Sequence, residues 1–178
     1  MTPRVFDSTG VLRLDEDTVH AGIKVLAEAL AASPPDVVIG VARGGTRLAH
    51  ALAAYLRRPQ AVVRVSHNHG EAIRQQATGI VDLDVTAATG LDHSLRVLLC
   101  DDIYGTGAAL AAVSAALDAL IVPRRIQTVT LCRNEGATDH PDLWLWDVRD
   151  WVVFPWEPPP AVTPTRTLPP RHHPRRRP

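Results

Sequence analysis

Cysteine is nearly absent from these 178 residues, with only Cys100 and Cys132, each inside an apolar run. Thiols in that setting read as buried, reduced core side chains, and no cysteine spacing suggests a zinc site. Long apolar stretches are missing as well. Nothing approaches the ~20 residues of a membrane span, and the N-terminal MTPRVFDSTG has no apolar signal region. A cytoplasmic protein with no membrane partner is therefore expected. Net charge is zero, but unevenly so. Five of the 19 basic residues lie in 158–178, which hold no acid, leaving 14 basic against 19 acidic in the body, a balance of −5. Such a body lacks the basic face of a nucleic-acid reader, so contact with nucleic acid would have to run through the tail. There is no internal repeat, and the length suits one α/β domain rather than two.

What is present alternates between two periodicities. LDEDTVHAGIKVLAEALAAS predicts a helix with Asp15 as N-cap and an apolar face of Val19, Ile23, Leu26 and Leu30, stopped by Ser33-Pro34-Pro35. DVVIGV (36–41) predicts a buried strand, followed by the loop ARGG and a helix from Thr46 to about Arg57. AVVRVS (61–66), RVLLCD (96–101) and RIQTVTLCR (125–133) predict further strands. TGAALAAVSAALDAL predicts the helix between the last two, and LWLWDV with WVVFPW two short C-terminal strands. Alternation of this kind makes an α/β fold, a mostly parallel sheet with helices on both faces. Residues 67–92 are polar and aperiodic, as expected of a functional or disordered loop. The tail 158–178 has eight prolines and is expected to be disordered.

Ligands of open α/β sheets bind beyond the carboxyl ends of the strands, and two loops there carry suitable chemistry. In VARGGTR, Gly44 and Gly45 let the backbone approach a ligand and Arg43 offers a fork of donors for phosphate oxygens, although glycines in a βα turn also serve purely steric needs. In LLCDDIYGTGAAL, the amides of Gly105, Thr106 and Gly107 open a helix and form a phosphate cradle. The adjacent Asp101 and Asp102 would repel a phosphate but suit vicinal hydroxyls or a magnesium ion. A phosphate at one end and a diol in the middle describe a ribose 5-phosphate. A Rossmann turn fits less well, because GTGAAL lacks the third glycine and carries its acids on the wrong side.

VLLCDDIYGTGAAL resembles the phosphoribosyl-pyrophosphate signature of the type I phosphoribosyltransferases. GVARGG is similar to their pyrophosphate loop, and DWVVFPWE to the base-binding end of the xanthine/guanine/hypoxanthine branch. The resemblance covers roughly residues 36 to 157. It implies one phosphoribosyltransferase domain over 1–157, a mobile loop over 67–92 that closes on the reacting centre, and a small C-terminal hood over 140–157 that holds the base. Asp101 and Asp102 would hold the ribose hydroxyls, directly or through Mg²⁺, and residues Gly105, Thr106, Gly107, Ala108 and Ala109 the 5-phosphate. Ala42, Arg43 and Gly44 would contact the pyrophosphate. Trp151 would stack on the base (a core aromatic is the alternative), with the Val152 backbone on its edge and Glu157 near a 2-substituent. Arg133 would take the place of a lysine that contacts the 6-oxygen. The implied reaction joins a purine or purine-like base to phosphoribosyl pyrophosphate, and the family's habit is a homodimer.

Two positions depart from that pattern. Gly105 stands where the purine branch usually has an aspartate that handles the proton at N7. The missing group corresponds to about 3–5 kcal/mol of barrier lowering. The adenine-type enzymes resemble this chain better there. Glu71, Asp82 or Asp84 would supply the function, or the accepted base needs none, or turnover has been lost. Ala109 replaces a hydroxyl donor to the 5-phosphate. These departures keep a second reading open: a non-catalytic sensor of nucleotide or phosphoribosyl pyrophosphate, with the Arg/Pro tail acting on a partner or RNA.

Overall fold

The structure, a computed structural model, describes residues 4–6, 11–66, 82–158, 166–169 and 171–177. Its backbone is a sheet in which β2 (Val37–Ala42), β3 (Gln60–Ser66), β5 (Arg96–Tyr104) and β6 (Arg125–Asn134) lie parallel in the order β6-β5-β2-β3. β4 (Asp82–Asp84) closes the β3 edge antiparallel. β2 (VVIGVA) and the Val97–Cys100 stretch of β5 read as unbroken apolar runs because both of their faces are covered. Val38, Leu98, Cys100, Val129 and Leu131 face one core, shared with α1 (Glu16–Ala31) and α2 (Gly45–Leu56). Their neighbours Val37, Ile39, Val41, Val97 and Leu99 face a second core under α3 (Ala108–Ile121). The α/β class with helices on both faces is thus observed.

Local chemistry sets the elements. Asp15 caps α1 by accepting from the Thr18 amide at 2.7 Å, and Val19, Ile23, Leu26 and Leu30 are all buried, as the periodicity predicts. Asp36 fixes how β2 and β5 meet. Its carboxylate accepts from the Arg96 backbone amide at 2.9 Å and from the guanidinium at 3.1 and 2.7 Å, and these bonds hold it well below the usual carboxylate range. The resulting register pairs Gly40 with Cys100, so the chain leaving β2 runs beside Asp101 and Asp102.

The C-terminal hood contains β7 (Leu143–Trp144), β8 (Trp146–Val148) and β9 (Trp151–Val153), and its Trp146 is 1% exposed. It recruits β1 (Val11–Arg13), a strand the sequence pattern does not announce, which pairs parallel with β9. Gly22 of α1 is needed here, since a Cβ would lie 2.5 Å from Leu145 Cδ1 and 3.1 Å from Trp146 Cη2.

The tail differs from its expectation. β10 (Arg166–Thr167) pairs with β1 and β11 (Arg175–Arg176) with β7, while Leu168 is buried and the Trp146 indole donates to Pro169 O at 2.9 Å. Arg175 pairs with Asp147 at 3.0 Å and Arg177 with Asp139 at 2.8 Å. Proline forbids a central strand but not short edge pairings, and the acidic body attracts the basic tail. Of the segment 67–92, residues 67–81, including Glu71, lie outside the described residues; 82–92 form β4 and a 3₁₀ turn at Thr86–Ala88.

Candidate active site

Both chemistry-bearing loops leave the carboxyl ends of adjacent parallel strands, β2 and β5. They touch through glycine. A Cβ on Gly44 would fall on the Asp102 carboxylate, and one on Gly45 would strike the Cys100 carbonyl and lie 2.7 Å from Asp101 Cα. The glycine pair therefore serves contact between the two loops, bringing the start of α2 against the acids. Arg43, at the tip, is exposed.

Beyond the acids, Gly105, Thr106 and Gly107 turn the chain into α3. Gly107 sits at φ +82°, a left-handed backbone that disfavours side chains, and a Cβ there would also strike the Tyr104 hydroxyl. The turn is drawn in by Thr106, whose hydroxyl accepts from the Ala108 amide at 3.4 Å. Asp101 through Leu110 line a cleft of about 120 Å³, so Gly105 to Ala109, the residues expected to hold the 5-phosphate, and the acid pair share one space.

A second cleft, about 100 Å³, opens on the hood side and includes Asp102, Trp151, Val152 and Glu157. The predicted base-binding residues Trp151, Val152 and Glu157 thus meet one member of the acid pair. Arg133 does not join them. Adjacent strand residues point to opposite faces, and Arg133 turns toward the 137–147 segment. There it donates to Ala137 O at 2.7 Å and Asp139 O at 3.2 Å, pairs with Asp147 at 3.2 Å and lies over the Trp144 ring. Its neighbour Asn134 faces the cleft instead.

The N-terminal segment completes the site, and sequence reasoning missed it. Asn134 clamps Val5 with two bonds, accepting from its amide at 2.9 Å and donating to its carbonyl at 2.8 Å. Phe6 lies 6.1 Å from the Trp151 ring, and Arg4 lines both clefts. A lone arginine in an aperiodic stretch gives no local signal of such a role.

Crowded carboxylates set the electrostatics. Burial raises the Asp101 carboxyl well above its ordinary range, with neighbouring Asp102 adding to the effect. Asp102 is pushed to about 6, by burial first and then by Glu157, and burial also raises Glu157. Burial lowers the Arg4 guanidinium, against the pull of Asp101 and Asp102. Desolvated acids of this kind gain from any ligand that supplies hydroxyl donors or a cation. Asp84 is occupied elsewhere, accepting from the Thr86 amide at 2.9 Å and hydroxyl at 2.6 Å. Among the described residues no cluster of three or more metal-ligating side chains occurs.

Two carboxylates at a strand end, a glycine turn opening a helix and a second glycine loop against the acids are arranged as the resemblance to phosphoribosyltransferases leads one to expect. The chain belongs to that family: the model of the Phosphoribosyl transferase domain matches residues 15–163. Among solved structures it is similar to a purine phosphoribosyltransferase from Pyrococcus horikoshii, with 29% identity and a TM-score of 0.74 over 87% of this chain and 99% of that one. It also shares the fold of the xanthine-guanine-hypoxanthine phosphoribosyltransferase of Helicobacter pylori (18% identity, TM-score 0.69, 83% of this chain and 93% of that one). A hypoxanthine phosphoribosyltransferase from Staphylococcus aureus follows at 20% identity and TM-score 0.56, over 88% and 76%. No curated protein matches the sequence significantly. Phosphoribosyl transfer is the reaction class these findings support.

Proposed function

We propose that this protein transfers the 5-phosphoribosyl group from phosphoribosyl pyrophosphate to a purine or purine-like base, releasing pyrophosphate. The observation that carries the reading is the contact between Gly44 and the Asp102 carboxylate. It brings the 42–45 loop against the acid pair, next to the 105–107 turn, which supports reading the three as pyrophosphate, diol and 5-phosphate positions in the order the donor requires. The likeness to a purine enzyme at 29% identity across nearly all of that chain supports a purine acceptor, as does the aromatic Trp151 at the hood-side cleft.

Asp101 and Asp102 suit Mg²⁺ shared with substrate. Magnesium is commonly held by one or two carboxylates plus substrate oxygens, and a pair of desolvated acids gains from the neutralisation. When bound, Mg²⁺ supplies charge neutralisation at the departing pyrophosphate. The chain's own residues orient the rest. The Gly105–Gly107 amides and the positive end of α3 hold the 5-phosphate. The acid pair fixes the ribose, and its negative charge favours the positive ring that develops at C1. Arg43, exposed at the loop tip, is free to reach the pyrophosphate oxygens. Trp151 offers a stacking face worth about 1–3 kcal/mol.

The test is to mix the protein with phosphoribosyl pyrophosphate, Mg²⁺ and in turn adenine, guanine, hypoxanthine, xanthine and uracil, and to follow nucleotide formation. A purine nucleotide is expected. Failure with all five removes the salvage reading.

A further inference from the structure

An acceptor nitrogen must lose its proton to form the new bond, either to a protein base or to solvent before it binds. The wall between the two clefts bears on that choice. Residue 105 has no side chain, and the space beside it holds a guanidinium: a Cβ there would lie 2.6 Å from Arg4 Cζ and strike Arg4 Nε. The bare residue and the arginine are two halves of one arrangement. Nor is Arg4 a free end, because the Asn134 clamp holds Val5 and Phe6 packs near Trp151. Arg4 is the sole cation among the described residues lining the hood-side cleft, where Asp102, Asp150 and Glu157 are the acids. Those acids have other tasks or partners. Glu157 accepts from the Phe154 amide at 2.8 Å, Asp102 faces Gly44 and the ribose position, and Asp150, buried at 6% exposure, has an interaction of its own.

We propose that Arg4 is a specificity-determining residue that selects an acceptor base bound as its anion, holding the heterocycle's negative charge beside Gly105. The inference rests on the phosphoribosyl-transfer reading. The base N–H proton goes to solvent before the base binds. The nitrogen lone pair then forms the bond to C1, and the C1–O bond breaks with its electron pair leaving on pyrophosphate. No carboxylate at residue 105 is required. The acceptor class is accordingly a purine or related heterocycle acidic enough to ionise near neutral pH. A planar fork of donors suits such an edge better than an ammonium would.

The test titrates bound xanthine, whose neutral and anionic forms absorb differently, on the full chain with ribose 5-phosphate, pyrophosphate and Mg²⁺ present. In wild type the bound base is expected to ionise at least one pH unit below the free base. Arg4→Ala should abolish that shift while changing ribose 5-phosphate affinity less than twofold, and Arg4→Lys should restore part of it. A merely structural role would not move the spectrum of the base. Four outcomes overturn the proposal: an equal shift in Arg4→Ala, a matching loss of ribose 5-phosphate affinity (making Arg4 a phosphate ligand), tighter base binding without Arg4 (making it a plug), or no binding of xanthine to wild type. Bound, ionised xanthine without nucleotide formation from the donor defeats the transfer reading alone.

Discussion

Gly44 and Gly45 are neighbours in sequence, yet the same added methyl meets a movable carboxylate at the first and fixed backbone at the second. Gly44→Ala is therefore expected to swing the Asp102 carboxyl away. Donor affinity should fall tenfold or more in calorimetry, while the urea midpoint moves little. Gly45→Ala forces β5 and α2 apart and should cost about 1–3 kcal/mol, the range for overpacking, visible as a lower urea midpoint. Reversed outcomes would mean the two loops do not meet as described. Asp102 makes a second prediction, for the ligand-free protein. Burial and the neighbouring Glu157 raise its folded value to about 6, above the ordinary aspartate range, so the folded state binds the proton more tightly than the unfolded chain. Its contribution is complete below about pH 4 and is lost as pH rises through 6. Asp102→Asn should remove this penalty, melting several degrees above wild type at pH 8 and close to it at pH 4. It should also weaken donor binding. A constant difference across pH would refute the burial argument.

At the scale of elements, the tail makes the larger claim. Leu168 buries a side chain worth about 1.5–3 kcal/mol. Truncation before residue 166 would also leave the Trp146 indole N–H without Pro169 O and strip β10 from β1, a further cost of about 1–3 kcal/mol for the buried donor. Truncation is expected to lower the melting temperature by at least 5 °C, and Leu168→Ala to account for a substantial part. A truncated protein that melts with the full chain would restore the disordered tail that composition predicts. The reason composition misleads here is physical. Proline content reports what a segment cannot form by itself, whereas β1 and β7 offer edges that ask for only two residues each. The three helices and the parallel strands were legible because their patterns are local: a 3.6-residue apolar stripe in α1, unbroken apolar runs in β2 and over Val97–Cys100 of β5. Asp101, Asp102 and the 105–107 turn were legible for the same reason, a strand end running into a helix. Arg4 and Asn134 were not, since their roles arise from a contact 129 residues apart in the chain. Arg133 lies away from the hood-side cleft because one residue along a strand reverses the face.

For the whole molecule, the site lies where separately coded parts converge: the ends of β2 and β5, the entry to α3, the hood and the N-terminal segment. Helix α1, one face of the sheet, the hood and the tail also share a core. One continuous cluster runs from Ile23 and Leu26 of α1 through Leu98 and Leu131 of the sheet to Trp146, Val152 and Phe154 of the hood, and on to Leu168 of the tail. With Leu145 and Trp146 seated on Gly22, the hood has no core of its own to melt around. Unfolding should be a single transition in which calorimetric and van't Hoff enthalpies agree. On the proposed reading, a nucleotide spanning the 105–107 turn, the acid pair and the hood is expected to stabilise every layer at once. At one hundred times its dissociation constant the gain is about 2.7 kcal/mol, which for a chain of this size corresponds to about 5–10 °C. Guanosine 5′-monophosphate with Mg²⁺ is the probe. Wild type should show the full shift in one undivided peak. Ribose 5-phosphate should give the same shift when matched in multiples of its own dissociation constant, because linkage depends on saturation rather than on contact area. Two resolved peaks, with only the lower one moved by nucleotide, would show that the hood folds apart from the sheet and that the core joining them is not continuous.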